Sequence, residues 1–246
     1  MRKFLRLLAA TSALLGATGT TFAQVVTFDA LDPSFSALAQ SLPFVGHGDT
    51  LVEGDYAIGM VSTKSGAQLG DLVGAVLDGS DPFSCFGVVC PGNNATNYLA
   101  SLNDGLPYFY RVDNGLFNLN RFDASFIAAE GVNVLPTAML LRVLGFTADG
   151  SVVQEDVFLP GPASGDYSFS TYALSTTFAS TAFNEVDFYG YACTTPTSCT
   201  RAVNQAQFGL DNVTFSAPVP EPETWAMLCL GLVGVGLARR RAAAST

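Results

Sequence analysis

The sequence predicts an all-β protein, an antiparallel two-sheet β-sandwich of jelly-roll type, and three observations predict it. Short runs rich in Val, Ile, Thr, Tyr and Phe recur between clusters of Gly, Pro, Asn and Asp. No sustained helical periodicity interrupts them. Phe is unusually frequent, with 19 in 246 residues. In Val186-Asp187-Phe188-Tyr189-Gly190-Tyr191 polar and aromatic positions interleave, the pattern of a strand that sends alternate rings between two sheets. A middle segment, residues 24–218, is the right length for one large sandwich rather than two domains.

The strands follow in chain order. Val25 to Phe28 is the first, then Tyr56 to Val61 and Leu72 to Leu77. Tyr108 to Val112 and Leu116 to Ile127 come next. Thr137 to Thr147 and Ser151 to Leu159 flank Ala148-Asp149-Gly150, where Asp-Gly accommodates positive φ at low cost and marks a hairpin. Tyr167 to Ser175, Glu185 to Ala192 and Gln207 to Phe215 complete the set. Pro33 to Ser41 and Asn94 to Leu102 are the only candidates for short helices. Tyr108, Tyr110, Tyr189 and Tyr191 have two readings: rings that pack in the core or cover a sheet face, or rings that stack on sugars.

Charge and cysteines constrain the compartment. The chain is 13% charged and 49% apolar, with a formal charge of −10. Residues 1–23 carry +3, from Arg2, Lys3 and Arg6; residues 24–218 carry five basic and nineteen acidic side chains, so 5 − 19 = −14. An acidic body between basic ends suits an exported or anchored ectodomain and argues against nucleic acid as a partner. Four cysteines form two close pairs, Cys85 with Cys90 and Cys193 with Cys199. In an oxidising compartment the expected bridges are these local ones, with crossed pairing of the four as the alternative. CxxC spacing is absent and the single histidine, His47, is distant in sequence, so a zinc site is not expected.

The ends read as addresses. Residues 1–23 have the form of a signal peptide: a positive start, an apolar core from Leu7 to Gly16, and small residues before a cleavage site between Ala23 and Gln24. That core is about 15 Å long as a helix, against a hydrocarbon thickness of about 30 Å, too short for a permanent anchor. The C-terminal segment, 219–246, has three parts. Val219 to Glu223 is a rigid polar tether, because Pro220 and Pro222 donate no backbone hydrogen bond. Thr224 to Ala238 is a short uncharged transmembrane span containing Gly231, Gly234 and Gly236, together with the fifth cysteine, Cys229. Arg239, Arg240 and Arg241 form a basic tail that stops transfer.

This tail, with Pro220-Glu221-Pro222, the short Gly- and Leu-rich span and the Arg cluster in order, resembles the PEP-CTERM sorting signal of Gram-negative bacteria. The resemblance implies processing by an exosortase after signal peptidase has acted, and only a transient stay in the inner membrane. The destination it implies is the cell surface or an exopolysaccharide (biofilm) matrix. Gln207-Phe208-Gly209-Leu210-Asp211 also resembles the Gln-Phe-x-x-Asp motif of a subgroup of these proteins, and Leu-Asp-Asn-Val strands close many jelly-roll, carbohydrate-binding-module-like domains. As a strand, it should pair near the first one with Phe208, Leu210, Val213 and Phe215 inward. The change of parity requires a bulge at Asp211-Asn212, which leaves Gln207 and Asp211 in structural roles.

Catalysis is not expected. No Gly-x-Ser-x-Gly elbow accompanies His47, and no HExxH motif occurs. Glu53, Asp55, Glu155 and Asp156 are carboxylates that could flank a glycosidic bond only in the sense that any two carboxylates could. Asp78-Gly79-Ser80-Asp81 and Asp211-Asn212 are oxygen-rich enough to hold one structural calcium ion; no other cofactor is implied. The sequence thus points to a non-enzymatic surface or matrix protein. The alternative is a carbohydrate-binding module acting on matrix glycans, and a glycan hydrolase or lyase ranks last. An exposed aromatic platform on one sheet face would favour the binding module.

Overall fold

The computed structural model describes residues 23–32, 43–85, 87–129, 138–161, 167–195, 198–201, 204–218 and 231–232. The signal segment, the Pro33 to Ser41 helix candidate, Pro220-Glu221-Pro222, Cys229 and the Arg cluster lie outside these residues, as does the transmembrane span apart from 231–232. Among the described residues no helix is long and apolar enough to cross a membrane.

The described strands are β1 Gln24–Val26, β2 Phe44–Gly46, β3 Thr50–Glu53, β4 Tyr56–Ser62, β5 Leu72–Asp78, β6 Val88–Val89, β7 Asn97–Ser101, β8 Gly105–Arg111, β9 Asn118–Ala129, β10 Ala138–Phe146, β11 Val152–Pro160, β12 Ser170–Ala173, β13 Glu185–Thr195, β14 Ser198–Thr200 and β15 Gln207–Ser216. A 3-10 turn covers Pro82–Cys85 and a short helix, α1, covers Thr176–Ser180. All pairings are antiparallel.

The first sheet runs β12-β9-β15-β7-β5-β2, with β1 on β15 and β6 on β9; the second runs β11-β10-β13-β8-β4-β3, with β14 on β13. From β7 onward the chain crosses repeatedly between the sheets, the habit of a jelly roll. The fold class read from the sequence is the one observed.

The core lies between the sheets and is rich in aromatic rings. Phe215 of β15 stacks on Tyr56 of β4, with ring centroids 4.1 Å apart and planes 17° apart. Phe117 meets Phe215 edge-on at 5.3 Å, and Phe109 lies 5.6 Å from it. Phe188 links Phe109, at 5.5 Å, to Phe122, at 5.1 Å. Offset and edge-to-face contacts add to the area that each ring buries. Burial pushes the Tyr56 phenol up to about 12.

Local chemistry explains the connections. Gly150 takes φ +83°, and the β10–β11 hairpin closes with Thr147 and Ser151 paired. Asp149 Oδ1 accepts the Ser151 amide at 3.0 Å, which fixes the turn from its own side chain. α1 is capped by Ser175, whose hydroxyl accepts the Phe178 amide, and it buries Phe178. Both expected disulfides are formed, Cys85–Cys90 and Cys193–Cys199. The second joins residues directly opposite each other on β13 and β14.

β15 matches its reading in detail. Phe208, Leu210, Val213 and Phe215 are all fully buried. β1 pairs with it through Gln24↔Phe215, Val25↔Thr214 and Val26↔Val213. The register against β9 shifts between Asp211 and Thr214, and Asn212 sits at φ +49°, so the bulge is present.

The Asn94 to Leu102 helix is corrected. Asn97–Ser101 is β7, held on one side by β5 and on the other by β15, with Tyr98, Leu99 and Ala100 buried. Residues apolar on both faces suit a central strand, and pairing on two sides overrides the local helical preference. Replacing Phe215 with Ala should cost about 3–5 kcal/mol, read as a fall in the urea midpoint at unchanged slope.

Candidate functional site

The outer face of the second sheet is set by alternation. On β4, Tyr56, Ile58 and Met60 join the core, which leaves Ala57 and Gly59 facing outward. On β8, Phe109 points inward, so Tyr108 and Tyr110 point outward; on β13, Val186 and Phe188 point inward, so Glu185, Asp187, Tyr189 and Tyr191 point outward. Register places Tyr110 between Ala57 and Glu185, and Tyr108 between Gly59 and Asp187.

Gly59 of β4 leaves room for the Tyr108 ring. A Cβ on Gly59 would fall 2.0 Å from Tyr108 Cζ, so the ring occupies the space that a side chain would need. The Tyr108 and Tyr110 rings are near parallel, 16° apart with centroids separated by 5.9 Å. The two rings stack on each other as a two-ring tile, half-buried at both positions. Beside it, Arg201 stands 5.5 Å over the Tyr189 ring and Arg142 stands 5.3 Å over Tyr191. Arg142 also grips Asp156 through two bonds of 2.7 and 2.8 Å.

Asp187 sits in the middle of this face and is only 7% exposed. Its Oδ2 accepts a long bond, 3.4 Å, from the Tyr189 hydroxyl, and the carboxyl is also hydrogen-bonded to that of Glu185. Burial, then the like charge of Glu185, push the carboxyl up to about 7. Burial raises Glu185 too. Tyr108 is raised by burial and by its neighbours Tyr110, Glu185 and Asp187.

A second polar cluster surrounds the bulge in β15. Asp211 is 1% exposed; its Oδ1 accepts the Asn212 amide at 2.7 Å and its Oδ2 accepts Asn94 Nδ2 at 2.8 Å and the Thr96 hydroxyl at 3.3 Å. Asp123 nearby accepts the Thr171 hydroxyl at 2.5 Å and Asn212 Nδ2 at 2.9 Å. These groups line an open depression of about 290 Å³. Burial raises Asp211 to about 6, against the pull of its three donors. Because Asn and Thr donors point at both carboxylates, the cluster works as a clasp that ties β15 and β9 to the loop before β7. Gln207 donates from Nε2 to the Asn204 carbonyl at 3.1 Å. Among the described residues no group of three His, Cys, Asp or Glu is gathered as a metal would need.

The other residues singled out in the sequence are dispersed. His47 Nδ1 accepts the Ser62 amide at 2.8 Å, a loop contact. Glu53 accepts the Thr27 and Phe28 amides at 3.0 and 2.7 Å, which anchors the end of β1. Asp55 lies 3.8 Å from Arg111, Glu155 caps α1 through the Ser175 amide and hydroxyl, and Asp156 pairs with Arg142. Asp78 and Asp81 accept the Ser80 and Phe83 amides and stabilise their own turn. Ala23 immediately precedes β1, and Gln24 opens it. Of the tyrosines, all four lie on one face. Glu185 and Asp187 were not singled out, although an acid between aromatic positions on a strand is the visible signal.

The comparisons with known proteins bear mainly on the tail. Residues 218–241 match the PEP-CTERM protein-sorting motif. No curated protein is significantly similar to the chain. Among solved structures, a DUF4465 family protein from Bacteroides ovatus is similar at 11% identity and a TM-score of 0.46, over 80% of this chain and 99% of that one. A family 11 carbohydrate-binding module from Clostridium thermocellum is similar at 10% identity and a TM-score of 0.30, over 74% of this chain and 99% of that one. The CBM22-1–GH10 modules of a xylanase from the same organism give 12% identity and a TM-score of 0.30, over 75% of this chain and 28% of that one.

The buried acid sets a pH dependence. A carboxyl raised in the folded state contributes stability that is full below its unfolded value, about 3.9, and is lost as pH climbs through the folded value. For Asp187 that window runs from there to about 7. Asp187→Asn should flatten the loss across this window and leave the variant more stable than wild type at pH 8, read by urea denaturation at stepped pH.

Proposed function

We propose that this chain is an exported, exosortase-processed protein of the cell surface or extracellular matrix, without catalytic activity. The observation that carries this reading is the sorting motif at residues 218–241, which implies export, a transient membrane stage and exosortase as the processing partner. In this reading residues 1–23 are removed by signal peptidase after Ala23, 24–218 form the delivered β body, and 219–246 form the sorting signal, with Pro220-Glu221-Pro222 as its recognition tether and Arg239 to Arg241 as its stop. The absence of catalysis is supported by the engagement of Glu53, Asp55, Glu155 and Asp156 in four separate structural contacts.

A more specific reading, that the body holds exopolysaccharide, is favoured by one observation: the stacked Tyr108–Tyr110 pair on the outer face, with the Tyr108 ring over Gly59. A stacked pair of half-buried rings offers an apolar surface of the kind on which a sugar ring packs. The acidic body makes a neutral polymer a better partner than a uronate-rich one.

Two results should follow. Replacing Pro220 and Pro222 with Ala should leave the protein in the inner membrane with its β body folded; fractionation that finds normal surface release would remove the exosortase step. Gly59→Val should lift the Tyr108 ring and weaken retardation in neutral-polysaccharide gels about tenfold, with unfolding little changed. Undiminished retardation would remove the tyrosine tile as the binding surface.

A further inference from the structure

We propose that β11 is a docking edge for a second copy of this chain, the two β11 strands pairing antiparallel about a two-fold axis at Glu155. The inference goes beyond the function proposed above and does not depend on glycan binding.

Three observations carry it. The first is an open edge. β11 ends the second sheet, and among the described residues it pairs only with β10. That register runs from Val152 to Pro160 without a shift, so the far edge is a straight template. The Thr147 amide donates to the Ser151 carbonyl. Antiparallel alternation then aims the odd residues of β11 at β10 and leaves the N–H and C=O groups of Val152, Gln154, Asp156 and Phe158 pointing off the sheet. All four residues are exposed. Pro160, next in that series, has no N–H to leave unpaired, which ends the row. The strand carries no lysine, a common guard against edge pairing.

The second observation is self-complementarity. With Glu155 on the axis, Val152 falls opposite Phe158 of the second copy, Val153 opposite its Val157 and Gln154 opposite its Asp156, and the two-fold repeats each contact in reverse. Val153 and Val157 pack on the core, so Val152 and Phe158 lie on the outer face, 53% and 48% exposed. Pairing gives each of these apolar side chains an apolar neighbour across the strands. A slip of one residue would oppose inward to outward side chains. A slip of two would set Val152 against Asp156, or Phe158 against Gln154.

The third is charge. Asp156 is neutralised from its own copy by Arg142, at 2.7 and 2.8 Å. Gln154 Nε2 donates to both Asp156 oxygens over 3.2 Å, and across the axis the same amide reaches Asp156 of the second copy. Glu155 meets its own counterpart, but its carboxylate is drawn to α1, where it accepts the Ser175 amide at 2.8 Å and hydroxyl at 2.6 Å. Opposed residues of antiparallel strands share a face. The outer faces of both copies therefore lie on one side of a single sheet, six strands from each, and the two Tyr108–Tyr110 pairs face the same way.

The test is sedimentation of the full chain in density-matched detergent, with thermal unfolding of each variant as a control. Wild type should sediment as a dimer. Gln154→Pro removes an edge N–H and no bond to β10, so it should weaken dimerisation about tenfold while unfolding stays cooperative. Single cysteines in a Cys229→Ser background, under mild oxidation, read the register. Glu155→Cys falls opposite itself in a non-hydrogen-bonded pair, with about 4.5 Å between Cα atoms, and should bridge two copies. Val153→Cys falls opposite Val157 and should not. A monomeric wild type, or a dimer that Gln154→Pro leaves equally tight, overturns the inference. Bridging by both cysteines, or by neither, overturns it as well. Should Gln154→Pro fail to fold, the cysteine pair decides alone.

Discussion

Phe215 against Tyr56 is the contact on which the rest depends. It joins the last strand of the first sheet to a strand of the second, at 4.1 Å and almost parallel. Phe117, Phe109, Phe188 and Phe122 extend that contact into a continuous aromatic layer between the sheets. Rings of this size tolerate little misplacement in a close-packed interior. Once Phe109 and Phe188 are committed inward, a strand period of two leaves Tyr108, Tyr110, Glu185, Asp187, Tyr189 and Tyr191 no choice but the outer face. The core therefore determines the composition of the surface.

That surface departs from an ordinary solvated sheet. Large outward rings usually stand off a sheet, but β4 offers Ala57 and Gly59 beneath them. The small residues on one strand and the large ones on its neighbour form a single feature. A Cβ at Gly59 would remove it without touching the core, because the collision is with the end of a movable side chain. Asp187 is the expensive part of the arrangement. It shares hydrogen bonds with Glu185 and the Tyr189 hydroxyl, and burial raises its carboxyl. Asp211 is buried more completely, and there Asn94, Thr96 and the Asn212 amide fill the demand.

Much of this was legible in the chain. Periodicity located most long strands, Asp149-Gly150 located a hairpin, cysteine spacing located both bridges, and the parity change at Asp211-Asn212 located the bulge. Strands too short to show a period, such as β2 and β3, were not legible. Nor was β7: its run Tyr98-Leu99-Ala100 is apolar on both faces, and such a run looks alike as a buried helix or a central strand. The tyrosines were visible as candidates, but their shared face depends on register between β4, β8 and β13, which no local pattern encodes. Asp187 was visible only as an acid between aromatic positions; its burial is created by neighbours on other strands.

The account claims that a β body delivered by a sorting tail meets its surroundings through the tyrosine face of its second sheet. Hydroxyl-radical footprinting of the protein, with and without the matrix polysaccharide of its own host, tests this most directly. The account predicts lower oxidation at Tyr108 and Tyr110 with the polysaccharide present, and no change at Tyr172 on the first sheet. Equal oxidation of Tyr108 and Tyr110 in both conditions, or protection confined to the first sheet, would contradict it.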